Sequence, residues 1–274
     1  MIKHLATVVD DPDLAQAHVR MLAESAHEIG ADLAVTMLTA APMVAAELAP
    51  FGGLYLPEAE LQADARKDMM ALRADLGKAG NRVSIGGFYG DVSWLAHELR
   101  NSDNIADLIV IGPTASWSVP WLRRHTIGTL LMTSGTPLLL LPEGHKLRPI
   151  RRAVLGWKPS SEAMRAVRDL MFVAQPGARI DIVSVAKEGQ DEDKDLSGCA
   201  GVATYLESHG FEVASHSVAG SSWTNDQLQL FAADSGADAL VVGAYAHSRI
   251  HEILFGGVTR SLIGTSRMPV LMSR

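Results

Sequence analysis

The chain has 274 residues, 47% of them hydrophobic and 20% charged. This excludes wholesale disorder and supplies apolar material for two domains rather than one. The formal net charge is −7, with no long Lys/Arg run, which argues against nucleic acid or an anionic membrane as a partner. One cysteine, Cys199, excludes an internal disulfide and fits a reducing compartment. The opening run Ile2–Val9 is too short for a signal-peptide core, and the apolar run Leu138–Leu141 is bounded by prolines and far short of membrane-spanning length. A cytoplasmic protein is the expectation.

The sequence repeats itself once. Asp11-Pro12-Asp13 aligns with Lys158-Pro159-Ser160, and Gly30-Ala31-Asp32-Leu33-Ala34-Val35 with Gly177-Ala178-Arg179-Ile180-Asp181-Ile182. Ala106-Asp107-Leu108-Ile109-Val110-Ile111-Gly112 matches Ala237-Asp238-Ala239-Leu240-Val241-Val242-Gly243, and Thr133-Ser134-Gly135-Thr136-Pro137 matches Thr265-Ser266-Arg267-Met268-Pro269. Matches kept in one order over this length point to duplication of a whole domain. The expected domains are 1–143 and 150–274, joined by the proline-bounded polar stretch Pro142–Pro149.

Each half predicts the same elements in chain order. A strand over Leu5–Val9 (Ala153–Gly156 in the second half) leads to a helix over Leu14–Ile29 (Glu162–Val173), with Asp13 and Ser160 as the expected N-caps. A second strand, Asp32–Leu38 (Arg179–Val185), precedes a helix over Glu58–Lys78 (Gly198–His209). A third strand, Arg82–Phe88 (Glu212–Val218), precedes a helix over Trp94–Arg100 (Thr224–Asp234). The ADLIVIG and ADALVVG runs read as strands buried on both faces. A last helix and a short fifth strand close each half. Strands alternating with helices imply a parallel sheet covered on both faces, with ligands beyond the carboxyl ends of its strands. The halves differ between the second strand and its helix: the first carries the apolar insertion Ala40–Leu56, the second the acidic stretch Lys187–Asp195, read as a solvated loop.

The stretch most suggestive of a ligand follows the last apolar run of the second half. Gly243 ends that run, and Gly256-Gly257-Val258-Thr259 precede a helical pattern. Backbone N–H groups at such a helix start suit a phosphate, and glycine permits close approach. The same spacing serves equally as a strand end followed by a turn.

The duplicated pattern, with ADALVVGAYAHSRIHEILFGGVTRSLI before a terminal PVL strand, resembles the universal stress protein family over essentially the whole chain. The resemblance implies two tandem Rossmann-like domains of the adenine nucleotide alpha hydrolase type, each a five-stranded parallel sheet with helices on both faces. ATP-binding members have Gly, two residues, Gly, nine residues, Gly, then Ser or Thr. Here the spacing is kept as Gly243, Ala246, Gly256 and Gly257, with Ala246 replacing a glycine and Gly257 the hydroxyl residue. Thr259 is placed to supply a hydroxyl instead, and His247 or Arg249 to meet a phosphate. The Asp that normally ends the first strand corresponds to Asp11 in the first half and Lys158 in the second, where the Lys either meets phosphate as a point charge or is simply solvated. Adenine is expected near Val185. The resemblance thus implies a stress-response protein binding ATP, or ADP or AMP, with or without Mg²⁺, in its second domain, as regulation rather than catalysis. It also implies pairing of the two domains through their terminal strands into a pseudo-dimer that can dimerise again. In the first half, Pro113–Thr126 has lost the glycines and its ATP site is expected to be lost, with Arg123-Arg124-His125 a solvated basic surface.

Other constellations carry less. His247 and His251 are four apart but have no third metal ligand. No GxSxG, no Walker motif and no acid–base–nucleophile set is present. A nucleotide-free interaction protein acting through domain pairing and the 40–56 insertion is the alternative from another class. A slow ATPase lacks a placed general base.

Overall fold

The computed structural model describes residues 2–40, 58–76, 82–90, 92–101, 105–186, 192–219, 224–244, 261–264 and 266–274. The insertion beyond Ala40, residues 41–56, and most of the glycine loop, residues 245–260, therefore lie outside the described residues. The chain divides into two compact units, Lys3–Ser134 and Gly135–Arg274.

The first unit contains β1 (His4–Val9), α1 (Pro12–Ile29), β2 (Asp32–Ala40), α2 (Glu58–Leu76), β3 (Val83–Gly90), α3 (Leu95–Asn101), β4 (Leu108–Ile111) and α4 (Pro120–Thr133). Its strands run in the order β3-β2-β1-β4, all parallel. The second unit contains β5 (Leu138–Leu140), β6 (Ile150–Gly156), α5 (Ser161–Val173), β7 (Ala174–Ala186), α6 (Glu192–Ser208), β8 (Glu212–Ala219), α7 (Thr224–Asp234), β9 (Ala239–Gly243) and β10 (Val270–Ser273). Its order is β5-β10-β9-β6-β7-β8, parallel except for β5 against β10. The terminal strand of the first repeat, β5, thus pairs antiparallel with the terminal strand of the second within one unit, Leu139 opposite Leu271.

The repeated sequence words now have physical reasons. Gly30 and Gly177 have φ of 68° and 74°, the left-handed turn that only glycine adopts freely, just before β2 and inside β7. The Asp of each ADLIVIG-type run ties its strand to a neighbour. Asp107 accepts the backbone N–H groups of Lys3 and His4 at 2.7 and 3.0 Å. Asp238 accepts those of Arg151 and Arg152 at 2.8 and 2.9 Å. Two orphan donors at a strand start are satisfied by one carboxylate. The strands behind these acids, β4 and β9, are buried almost throughout, as expected of strands covered on both faces.

Two local expectations are corrected. The α1 cap is Asp11, not Asp13: its Oδ1 accepts both the Asp13 and Leu14 N–H groups at 2.9 Å. Pro12 then stands in the first turn, where a missing N–H costs nothing. Helix α6 begins at Glu192 rather than Gly198, so the end of the acidic stretch is helical and not a loop. Acidic residues in a first turn complement the helix dipole. The Ser160 cap is present, accepting from the Ala163 N–H at 3.1 Å.

Candidate functional site at the carboxyl edge of the second unit

Strands β9, β6 and β7 are neighbours, and their carboxyl ends form one edge. Three of the expected site residues stand on it. Gly243 is the last residue of β9. Lys158 is exposed, two residues beyond the end of β6. Val185 is half-buried near the end of β7, paired with Val218 of β8. The other expected residues, Ala246, His247, Gly256, Gly257, Val258 and Thr259, lie outside the described residues.

The structure gives Gly243 a reason that spacing did not. A Cβ there would sit 2.5 Å from the Ala163 nitrogen and 2.6 Å from the Glu162 carbonyl carbon. Both are backbone atoms of the first turn of α5, which cannot swing aside. Glycine at 243 is therefore required by strand–helix packing. Gly243→Ala is expected to cost about 2 kcal/mol or more through overpacking, read as a lowered urea midpoint with unchanged slope.

Beside Gly243, the start of α5 is already supplied with an anion. Burial pushes the Glu162 carboxyl up, but hydrogen bonds from its own backbone N–H, Ser160 and Ser161, and the charge of Arg274, outweigh that and hold it below the usual range. A carboxylate held here uses the positive end of the helix dipole. The α5 start is consequently a poor seat for a second anion. Lys158 stands on the same edge, two residues beyond β6. Trp157 is buried just behind this edge: its backbone N–H donates to the Val183 carbonyl at 2.8 Å and its indole N–H to the Gly198 carbonyl at 3.1 Å.

The equivalent edge of the first unit is closed by its own side chains. A Cβ on Gly112 would lie 2.6 Å from Ser116 Oγ and 2.9 Å from the His18 ring. Asp10, at the end of β1, accepts the Ser118 N–H at 3.1 Å and its hydroxyl at 2.6 Å, folding the 113–118 segment back over the strand ends. Trp117 is buried within that segment. Arg123 is not a solvated surface residue: it is 5% exposed and donates from Nε to the Gly112 carbonyl at 2.9 Å. Burial, then the neighbouring Arg124 charge, lowers its pKa to about 10. His18 Nε2 shares a hydrogen bond with Thr7 Oγ1 at 3.2 Å. Its burial and the Arg123 charge lower its pKa to about 4, so it is neutral at neutral pH. Arg124 and His125 remain exposed, with the His125 ring stacked on Trp121 at 5.3 Å.

Among the described residues, no helix is long and apolar enough to cross a membrane, and no group of three or more His, Cys, Asp or Glu could hold a metal.

Comparison with known proteins gives one consistent fold. The model of the universal stress protein family matches residues 149–274. A universal stress protein from Archaeoglobus fulgidus DSM 4304 is 16% identical, with a TM-score of 0.69 over 98% of this chain and 96% of its own. A putative universal stress protein from Pseudomonas aeruginosa UCBPP-PA14 is 13% identical, with a TM-score of 0.55 over 99% of this chain and 93% of its own. A universal stress protein solved in complex with cAMP is 22% identical and covers 46% of this chain and 99% of its own, with a TM-score of 0.36. No curated protein matches the sequence. The two full-length likenesses extend the fold across both repeats.

Proposed function

We propose that the chain, whose residues 149–274 match the model of the universal stress protein family, is a stress-response protein whose second domain, 150–274, binds ATP or a related adenine nucleotide as a regulatory signal. The observation that carries this reading is the placement of Gly243, Lys158 and Val185 at the carboxyl ends of three adjacent strands. Ligands of open parallel sheets bind at that edge. Val185 offers an apolar surface to a base and Lys158 a point charge to phosphate. With the α5 start occupied by Glu162, the phosphates fall to the 245–260 segment, through the backbone N–H groups of Gly256, Gly257, Val258 and Thr259. Ala246 and His247 belong to the same segment. Any Mg²⁺ arrives on the nucleotide's phosphates.

The first domain, 1–143, has a different part in this reading. Its cleft is filled by Trp117, Arg123 and His18, so it acts as a structural partner and takes no nucleotide. Titration calorimetry with ATP tests the proposal. One binding event per chain is expected, weakened more than about tenfold by Gly256→Asp, which sets a carboxylate against the phosphates. Equal affinity in the variant would place the phosphates elsewhere, and two events per chain would reopen the first cleft.

A further inference from the structure

In the first unit, residues 113–118 run from the end of β4 to the start of α4. They lie over the carboxyl ends of the strands, the edge where open parallel sheets take their ligands. The segment holds one 3₁₀ turn, Thr114–Ser116, and neither this turn nor α4 has a side-chain cap. The bonds of the turn are internal. The Ser116 and Trp117 N–H groups donate to the Pro113 and Thr114 carbonyls at 3.1 and 3.2 Å, and Ser116 Oγ donates to the Pro113 carbonyl at 2.8 Å. Among the described residues, the segment hydrogen-bonds outside itself only through Ser118, whose N–H and hydroxyl both go to Asp10. Its apolar anchor is Trp117, 3% exposed, whose indole N–H has no hydrogen-bond partner. The Nδ1 of His18, whose ring lies beside Ser116 at Gly112, has none either.

We infer that residues 113–118 form a strap that opens as one unit while the rest of the first unit stays folded, with the Asp10–Ser118 pair as its clasp. Closed, the strap blocks its own cleft. Open, it uncovers Gly112, the His18 ring and the indole of Trp117. One anchor and one clasp hold it, so opening gives up the Asp10 bonds and the cover of a single indole, whereas global unfolding gives up the whole core. Opening also lets water reach the indole N–H and His18 Nδ1, groups that are costly to leave buried without a partner. The carboxylate of the clasp has no counterpart in the second unit. Leu5 pairs with Leu108 as Ala153 pairs with the equivalent Ala239, which sets Asp10 level with Lys158. A lysine there accepts no hydrogen bond from a loop. The strap rests on no part of the nucleotide reading.

Amide hydrogen exchange of the full chain, read residue by residue by NMR, tests this. The Ser116, Trp117 and Ser118 amides are all hydrogen-bonded in the closed strap. They report its opening, because a lone 3₁₀ turn does not persist in water once undocked. The three are expected to share one opening constant, at least about 100-fold larger than that of the β2 and β4 amides. Asp10→Ala is expected to raise that constant about tenfold further, with β2 and β4 unchanged. Ser118→Ala, which keeps Asp10 and loses only the hydroxyl bond, is expected to raise it about threefold. Strap amides as strongly protected as those of β4 would show that the segment opens only with the whole unit, and would overturn the inference. So would strap exchange that neither variant accelerates, or an acceleration that β2 and β4 share equally.

Discussion

Replacing Arg152 with alanine is expected to destabilise the second unit by about 3 kcal/mol. The reason is Asp181, in the middle of β7 and 0% exposed. Its Oδ2 accepts from Arg152 Nε at 2.9 Å and lies 2.9 Å from Arg152 Nη2. Its Oδ1 accepts from Arg179 Nη2 at 3.3 Å and lies 3.1 Å from His216 Nε2. Burial alone would push this carboxyl up, but the His216, Arg152 and Arg179 hydrogen bonds and the Arg152 charge hold it below the usual range. Loss of Arg152 removes both partners of Oδ2 and leaves a buried carboxylate half-satisfied. Arg179 and His216 remain, which keeps the loss from being larger. Urea denaturation measures it. Arg152→Ala combined with Asp181→Leu should recover much of the loss, because an apolar pair carries no desolvation penalty. A double variant as unstable as the sum of the two single variants would deny the coupling.

The second large effect is a pH dependence in the first unit. His18 titrates at about 4 in the folded chain against 6.5 unfolded, because burial and then the Arg123 charge disfavour its protonated form. The folded pKa is the lower one, so its contribution is fully present above pH 6.5. It is lost as the pH falls from there toward 4, where the unfolded chain takes up a proton that the folded chain refuses. A depression of this size corresponds to about 3 kcal/mol. His18→Gln keeps a polar group near Thr7 but does not titrate. The difference in stability between the original chain and this variant should therefore narrow or reverse as pH drops from 6.5 to 4. A parallel pair of stability–pH curves would show that His18 protonates as easily folded as unfolded.

The repeat and the order of strands and helices were legible because they rest on local patterns: apolar runs bounded by glycine, and matching words in one order. The α1 cap was misread although the signal was present, since Pro12 in the first turn points back to Asp11. Arg123 was misread because Arg123-Arg124-His125 looks basic in one dimension. In the helix it shares the inward side with Leu122, Thr126, Ile127 and Leu130, all buried, and that periodicity could have revealed it. The Asp181 cluster could not be found locally. Arg179-Ile180-Asp181-Ile182 alternates like a half-buried strand, and the partners Arg152 and His216 come from neighbouring strands 29 and 35 residues away.

At the candidate site, the carboxyl edge was legible from topology, but Gly243 was not fully so. Its spacing suggested room for a ligand, whereas the backbone of α5 already needs that room. A sequence names a glycine without saying which neighbour excludes its Cβ. Glu162 at the α5 start was likewise invisible as a competitor for anions until its hydrogen bonds were in place.

The most direct measurement is mass spectrometry of the small molecules released when the purified chain is denatured. A near-stoichiometric amount of ATP, ADP or AMP is the predicted result and would establish nucleotide occupancy despite Ala246 and Gly257. A chain that releases none, and that also fails to take up added nucleotide, would contradict the account.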